Sequence, residues 1–187
     1  MKVYRVRNDV STYQYFLTER DEDVLTLKMD GTSRANKWIP PPVYILQPKL
    51  QAGDFYNFSS DILIPSPRAS MLLSEHFEMA GELLSLPYKD QEFFVFNVIN
   101  CIDCLDQEST TWAIDPTTSV RIRPKKYVFH ANRFTEARLF KIPETCRGEI
   151  LVLDRDQGGD EEFRSAIEQA ELKGLIFEEL WNDNKNE

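Results

Sequence analysis

The pair Cys101 and Cys104 has the spacing most suggestive of chemistry, because a Cys-x-x-Cys unit can bind zinc or act as a redox dithiol. It follows the apolar segment 93–99, a strand context typical of thioredoxin-like motifs. The acid at Asp103 raises thiol pKa values instead of lowering them. The other residues that could complete a zinc site stand singly, at Cys146, His76 and His130. We therefore interpret the pair as small apolar side chains packed after a strand, and predict no metal or cofactor.

Three carboxylates lie close together at Asp103, Asp106 and Glu108. Such groups can perform acid–base catalysis or hold a metal ion. No histidine or Gly-rich turn accompanies them, and the chain has no phosphate-binding loop or nucleophile-elbow motif. The pattern favours carboxylates that cap a turn, with binding of a partner's cation as the alternative. We predict that the protein is not an enzyme; a small metal- or thiol-dependent enzyme is the competing hypothesis.

Charge and composition limit the class of partner. The 187 residues carry a net charge of −9, with 42% hydrophobic and 12% aromatic content, as expected for a globular protein. A negative average surface repels phosphates, which argues against nucleic acid and anionic membranes as partners. No apolar run approaches the roughly 20 residues of a membrane span, and no signal-peptide core follows the first residues. Three cysteines, an odd number, suit reduced thiols, so we expect a cytoplasmic protein.

The acidic charge is concentrated in the last fifth of the chain. Segment 150–187 holds eleven Asp and Glu against four Lys and Arg, which gives −7 of the total −9. An acidic surface without an evident active site indicates a binder of something basic. Trp181 is the tryptophan that we expect to be partly exposed, as an interface anchor. The candidate partner-binding residues are Asp154, Asp156, Asp160, Glu161, Glu162, Glu168, Glu171 and Trp181.

Two helices have clear boundaries in the sequence. Ser66 as N-cap and Pro67 at the first helical position begin a helix of about 67–80, which Gly81 is expected to stop. Its apolar stripe comprises Ala69, Leu72, Leu73, Phe77 and Ala80. The second helix spans about 160–173, with Asp160 as its cap and Gly174 as its stop.

Strand patterns fill most of the remaining chain. Alternating or continuous apolar runs predict strands at 1–6, 24–29, 43–46, 93–99 and 175–177, and strand pairs at 120–122 with 126–129 and at 138–142 with 149–153. The order of elements predicts an α+β fold, with a mixed, largely antiparallel sheet and two main amphipathic helices. We expect one domain over 1–187, within which an N-terminal subdomain 1–86 can pack on a C-terminal subdomain 87–187.

Four segments in this order resemble the myxobacterial-type immunity proteins of bacterial polymorphic toxin systems. The similarity covers about 38–181, most of the chain. The segments are Trp38-Ile-Pro-Pro, Ser66-Pro-Arg-Ala-Ser-Met-Leu-Leu, the strand at 93–99 leading into Asp103-Cys-Leu-Asp106 with Ser109, and the closing unit from Ala137-Arg-Leu-Phe-Lys-Ile to Gly174-Leu-Ile-Phe-Glu-Glu-Leu-Trp181.

The resemblance implies a cytoplasmic antitoxin that acts in interbacterial competition. Such a protein binds the toxic domain of a secreted effector inside the producing cell or its kin. Related members are often paired with nuclease toxins delivered by type VI or similar contact-dependent secretion. The family supplies no defined contact residues, so the acidic residues above rest on charge alone. Homo-oligomerisation stays open, and an adaptor or scaffold of a secretion system is a further alternative.

Overall fold

A computed structural model describes residues 1–27, 29–59, 62–136, 138–156 and 161–185. The helices of these residues are α1 (Pro67–Leu72), α2 (Ser74–Ala80) and α3 (Phe163–Gln169). The strands are β1 (Lys2–Asn8), β2 (Phe16–Thr18), β3 (Val43–Ile45), β4 (Phe55–Ser59), β5 (Ile62–Pro65), β6 (Gly81–Tyr88), β7 (Gln91–Val98), β8 (Thr111–Ile114), β9 (Arg121–Lys126), β10 (Leu139–Phe140), β11 (Leu151–Asp154) and β12 (Leu175–Asn182).

Two four-stranded sheets form the framework. The first has the order β10-β11-β1-β12, so the first strand of the chain lies between two of the last. The second has the order β4-β5-β7-β6, while β2-β3 and β8-β9 are separate two-stranded sheets. The strand pairs of all four sheets are antiparallel, which confirms the predicted α+β fold with a largely antiparallel sheet.

Side-chain alternation along the strands gives each four-stranded sheet two buried faces. In β7, Phe96 and Val98 face the central core, which also contains the buried sides of all three helices. Phe93 and Val95 face the opposite way, into a second core under β2 and β3. The first sheet is also buried on both faces. In β11, Val152 faces the central core, whereas Leu151 and Leu153 pack into a third core around Trp181. The prediction of a strand at 93–99 that is buried on both faces is confirmed.

The first predicted helix begins as expected but is divided in two. Ser66 Oγ accepts a hydrogen bond from the Ala69 N–H at 3.2 Å, which is the predicted cap. Leu73 then leaves the helical region with φ −114° and ψ 19°, and separates α1 from α2. The break turns Leu72 outward, where 49% of its surface is exposed, so its predicted place in the buried stripe is wrong.

The helical segment ends at Ala80 as predicted, but Gly81 does not supply the expected left-handed residue. Gly81 has φ 176°, which is extended backbone, and it begins β6 directly after α2. A Cβ at this position would overlap the carbonyl oxygen of Asn97 on β7, so glycine is needed for a close approach between strands. The second helix is shorter than the predicted 160–173, and Asp160, its predicted cap, lies outside the described residues.

Two strand predictions failed. The alternating segment 24–29 contributes to a 3-10 helix at Asp21–Leu27, and its residue 28 is not described. The expected hairpin of 120–122 with 126–129 is replaced by β8 pairing with β9, which places Pro124 inside a strand. The pairing of 138–142 with 149–153 is confirmed by β10 and β11, and β12 includes the predicted strand at 175–177. None of the described helices has the length and apolar character needed to cross a membrane.

Candidate functional site

The cysteine pair lies against the third core. Cys104 is fully buried, and burial, followed by the charge of Glu144, raises its pKa to about 12. A raised thiol pKa was expected from the sequence. Burial is its larger cause, however, and the charge of Asp103 contributes little. A thiol with such a pKa is a poor nucleophile at neutral pH. In the described ranges, no three His, Cys, Asp or Glu residues are placed to hold a metal ion.

The neighbouring carboxylates stabilise a turn. Asp106 accepts hydrogen bonds at 3.0 Å from the N–H groups of Glu108 and Ser109, and these bonds lower its pKa. This is the capping role predicted from the sequence. Asp103 is 73% exposed and lies 3.8 Å from Arg133, a loose surface ion pair. Asp106 therefore caps the turn, whereas Asp103 lies at the surface.

Five of the candidate acids lie within 4.0 Å of a cation of the protein, namely Asp154, Asp156, Glu161, Glu162 and Glu168. Asp156 binds Lys2 Nζ at 2.8 Å, while Arg164 lies between Glu168 at 2.9 Å and Asp154 at 4.0 Å. Arg164 also stacks over the Tyr4 ring at 4.9 Å, which ties this cluster to β1. These partners partly neutralise the acidic charge that the composition suggested for the last helix.

Two candidate residues are buried, which corrects the expectation that they are surface residues. Trp181 is only 7% exposed, and its ring packs against Phe129 and Phe134 at centroid distances of 5.8 and 6.1 Å. Glu162 is 1% exposed and lies 3.4 Å from Arg138 Nε. Neither side chain can contribute to a contact surface without a change in the fold. The alternation of β12 carries Trp181 into the third core.

The backbone of Glu171 terminates α3. It adopts the left-handed conformation with φ 52°, and its N–H donates to the Glu168 carbonyl at 3.2 Å. The Leu172 N–H donates to the Ile167 carbonyl at 3.0 Å, which completes a Schellman ending of α3. The predicted stop at Gly174 is therefore wrong, since the helix ends earlier at a residue other than glycine. The Glu171 side chain itself is exposed.

A groove runs between α2 and α3. One part, of about 330 Å³, is lined by Glu75, His76, Met79, Glu136, Arg138 and Glu161. A second part, of about 520 Å³, shares Glu75 and His76 and continues along Met71, Leu72, Ser74, Ala166, Gln169 and Ala170. We call the two parts together the α2–α3 groove. One lining residue, His76, contacts the ring of the buried Phe163 at a centroid distance of 5.6 Å.

The α2–α3 groove combines unpaired acids with exposed methionines. Glu75 and Glu136 are exposed and form no ion pair with any described residue. Glu161 is 82% exposed and only 3.9 Å from Arg138, a contact at the limit of an ion pair. Met71 and Met79 are 71% and 56% exposed. Flexible, polarisable methionines beside free carboxylates form a surface suited to a partner that is basic and partly apolar.

Helical spacing separates the predicted acids into two groups. At 100° per residue, Glu168 lies about 150° around α3 from the centre of the groove-facing residues, Ala166, Gln169 and Ala170. Glu161 alone among the described candidates lines the groove. Sequence reasoning missed Glu75, Met79 and Glu136, because each stands far along the chain from the acidic C-terminal segment. The only signal was the position of Glu75 and Met79 outside the apolar stripe of their helix.

Burial of Glu162 makes stability depend on pH in an unusual direction. Burial raises the pKa of Glu162, against the lowering effects of the Arg155 N–H and the Arg138 charge. The native protein therefore holds this proton to higher pH than the unfolded chain does. Its contribution to folding is fully present below the unfolded pKa and is lost as pH rises through the folded pKa.

We expect the stability of the wild type relative to Glu162→Gln to decrease as the pH rises above about 4.3, the ordinary pKa of a glutamate. Urea unfolding at several pH values measures this difference. Asp156→Asn provides a comparison of opposite sign, because the bond to Lys2 lowers the pKa of Asp156. Relative to that variant, the wild type should become more stable as pH rises. A difference from Glu162→Gln that increases with pH would contradict the assignment.

Comparison of the sequence with protein-family models identifies the family of this chain. The model of the immunity protein family (Imm11) matches residues 75–182, which is 108 of the 187 residues. The chain belongs to this immunity protein family. The match begins at Glu75 and includes every residue that lines the smaller part of the α2–α3 groove. A search of curated proteins found no match.

Membership confirms the resemblance to an immunity protein family over residues 75–182, which include the strand at 93–99 and the closing unit; the segments at 38–41 and 66–73 lie outside the match. An immunity protein protects by acting on a cognate toxin, so a toxin is the general class of partner for this chain. The family also favours an inhibitor over a catalyst, in keeping with the buried thiol and the turn-capping carboxylates described above.

Proposed function

We propose that this immunity protein neutralises its toxin by direct contact through the α2–α3 groove, without catalysis and in the cytoplasm. The observation that carries the proposal is the set of unpaired carboxylates around exposed methionines in that groove. In the acidic C-terminal region, Asp156 and Glu168 have cationic partners at 2.8 and 2.9 Å, and Asp154 lies 4.0 Å from Arg164. In the groove, Glu75 and Glu136 form no ion pair with a described residue, and Glu161 is held only loosely, 3.9 Å from Arg138.

The chemistry of the groove favours a basic toxin domain, such as a nuclease. Nucleases bind phosphates through Lys and Arg, and an acidic inhibitor can cover those side chains and exclude nucleic acid. A net charge of −9 accelerates association with such a face and disfavours nucleic acid or a membrane as a partner of this chain. Delivery of the toxin by type VI or similar secretion is part of the same proposal.

Apolar contacts are needed in addition to charge. A stable inhibitory interface buries about 1,600 Å² in total, and its affinity comes mainly from a few anchors near the centre. Met71, Leu72 and Met79 are exposed beside the acids and can serve as these anchors. Of the candidates from the sequence, Glu161 belongs to this surface, and the exposed Glu171 side chain adds charge beyond the end of α3. Asp154, Asp156 and Glu168 are assigned to its periphery.

The test is co-expression of the chain with the toxin domain encoded beside it, followed by pull-down and growth of a sensitive host. The wild type should restore growth and form a stoichiometric complex. The double variant Glu75→Lys, Glu136→Lys should associate at least about tenfold more slowly and protect less, because two attractive contacts become repulsive. Association is measured by stopped flow or biolayer interferometry at low salt.

A control variant separates local charge from net charge. Glu19 and Glu108 are exposed, form no ion pair with a described residue, and lie outside the groove. Glu19→Lys, Glu108→Lys changes the net charge from −9 to −5, as the groove variant does. If both variants slow association equally, the groove is not the contact surface. Growth restored without a complex would instead indicate an enzyme that reverses the damage.

A further inference from the structure

The β8–β9 hairpin has the opposite charge from the rest of the protein. Residues 111–126 contain Arg121, Arg123, Lys125 and Lys126 against one acid, Asp115, for a net charge of +3. The remainder of the chain therefore carries −12. All four cations are exposed, and none forms an ion pair with a residue in the part of the chain that the structure describes. This hairpin is a basic surface whose charges are not neutralised by any acid among the described residues.

Exposed apolar side chains accompany these cations. Ile114, Val120 and Ile122 are between 56% and 60% exposed, near the tip of the hairpin. Every residue of β9 except Pro124 is exposed, and the pairing of β8 with β9 has two register irregularities, so the cations are not confined to one face. The hairpin therefore presents cations together with isoleucine and valine side chains to the solvent. Charged and apolar groups in this combination are typical of a contact surface.

The hairpin is held in a defined shape. Asp115 accepts hydrogen bonds at 2.8 Å from the N–H groups of Thr117 and Thr118, and its own N–H donates to the Val120 carbonyl at 2.9 Å. Arg121 stacks over the Trp112 ring at 5.1 Å across the two strands. A preorganised turn loses little conformational entropy when it binds.

We propose that the β8–β9 hairpin docks into the α2–α3 groove of a second copy of this chain. Both surfaces are present in the same molecule and are complementary. The hairpin offers unpaired cations and branched apolar side chains, and the groove offers unpaired carboxylates and exposed methionines. Complementary potentials of this kind determine which surfaces associate. Self-association would cover the groove, so it would compete with binding of a partner there.

The experiment uses the whole protein alone, without any toxin, so its outcome is independent of the proposed toxin contact. Light scattering and sedimentation at low salt should show a mass above 21.8 kDa that increases with concentration. Added salt should reverse the association, because it screens exposed charges. A chain that stays monomeric at about 1 mM in low salt overturns the proposal.

Charge exchange tests the two surfaces specifically. The hairpin variant Arg123→Glu, Lys125→Glu and the groove variant Glu75→Lys, Glu136→Lys should each self-associate at least about tenfold more weakly than the wild type. A mixture of the two variants should recover the association, since an acidic hairpin then meets a basic groove. The variant Glu19→Lys, Glu108→Lys should associate like the wild type. Circular dichroism and thermal unfolding verify that all variants are folded.

Three results would overturn the proposal. Folded hairpin and groove variants that associate as strongly as the wild type place the contact elsewhere. A mixture that stays monomeric shows that the two surfaces do not meet. A wild-type chain that stays monomeric but binds a fluorescent DNA duplex through the hairpin assigns the basic surface to a polyanion.

Discussion

Replacing Gly174 with alanine is expected to lower the free energy of unfolding by at least about 3 kcal/mol. Gly174 has φ +113°, a conformation that residues with a Cβ rarely adopt. A Cβ there would also overlap the carbonyl oxygen of Phe55 and approach its nitrogen to 3.2 Å. The obstructing atoms are backbone atoms of β4, so no side-chain rotation can relieve the contact.

The surrounding hydrogen bonds make adjustment costly. The Lys173 carbonyl accepts from the N–H groups of Asp54 and Phe55 at 2.8 and 3.0 Å, and the Gly174 carbonyl accepts from Asp9 at 2.9 Å. The segment before β12 is thus attached to both β4 and the end of β1. Moving it to admit a methyl group would break bonds that join the two sheets.

Urea unfolding measures the effect, with Gly148→Ala as the matched control. A Cβ on Gly148 meets only the Thr145 carbonyl, at 3.2 Å, and its φ lies outside the left-handed region. We expect the control to change stability by less than about 1 kcal/mol. Equal effects of the two substitutions would show that the close approach to Phe55 is not what requires glycine at position 174.

Local signals in the sequence predicted the elements that local chemistry determines. The cap at Ser66 follows from hydrogen bonding by one side chain, and the nearly all-apolar strand at 93–99 follows from burial on both faces. The strand prediction for 24–29 was wrong because alternating apolar and polar residues form a strand only when a neighbouring strand can pair with them. Here Leu27 is buried within a 3-10 helix that packs on the second core, with carboxylates in its first turn.

The ends of the helices show how tertiary contacts override local rules. Glycine after a helix usually supplies a left-handed residue, and both predicted stops relied on this tendency. Gly81 and Gly174 are instead required where backbone passes close to another strand. The left-handed residue that ends α3 is Glu171, which no composition rule would select.

The α2–α3 groove was beyond sequence reasoning because its parts are distant in the chain. Glu75, Glu136 and Glu161 come from three separate segments that the fold brings to one opening. Counting charges located the acidic segment correctly, yet the count cannot show which acids already have partners. The pair of Glu168 with Arg164 follows from their i,i+4 spacing on one helix, but whether Glu75 has a partner is visible only in the structure.

The buried ring in contact with His76 gives a second large prediction. Phe163 is fully buried, and its ring lies 5.6 Å from His76, 6.2 Å from Phe77 and 6.5 Å from Phe177. It therefore holds α3 against both α2 and β12. Phe163→Ala should lower the free energy of unfolding by about 3–5 kcal/mol, and the milder Phe163→Leu by about 1–2 kcal/mol.

Phe16 provides a matched control in another core. It is equally buried and contacts Tyr56, Tyr88 and Phe93 at 5.1, 5.0 and 5.2 Å, under the second sheet. Phe16→Leu should cost a similar amount of stability, because it also removes a fully buried ring among three aromatic neighbours. It should leave the α2–α3 groove intact, because none of these residues lines it.

The two leucine variants should therefore differ in toxin binding at equal stability. Phe163→Leu loosens the support of His76 and the spacing of α2 from α3, so toxin affinity should decrease by about tenfold or more. Phe16→Leu should bind the toxin like the wild type. Affinity is measured by calorimetry at a temperature where urea unfolding shows both variants to be folded. If both variants retain full affinity, the toxin does not depend on the shape of this groove, and the contact surface lies elsewhere on the protein.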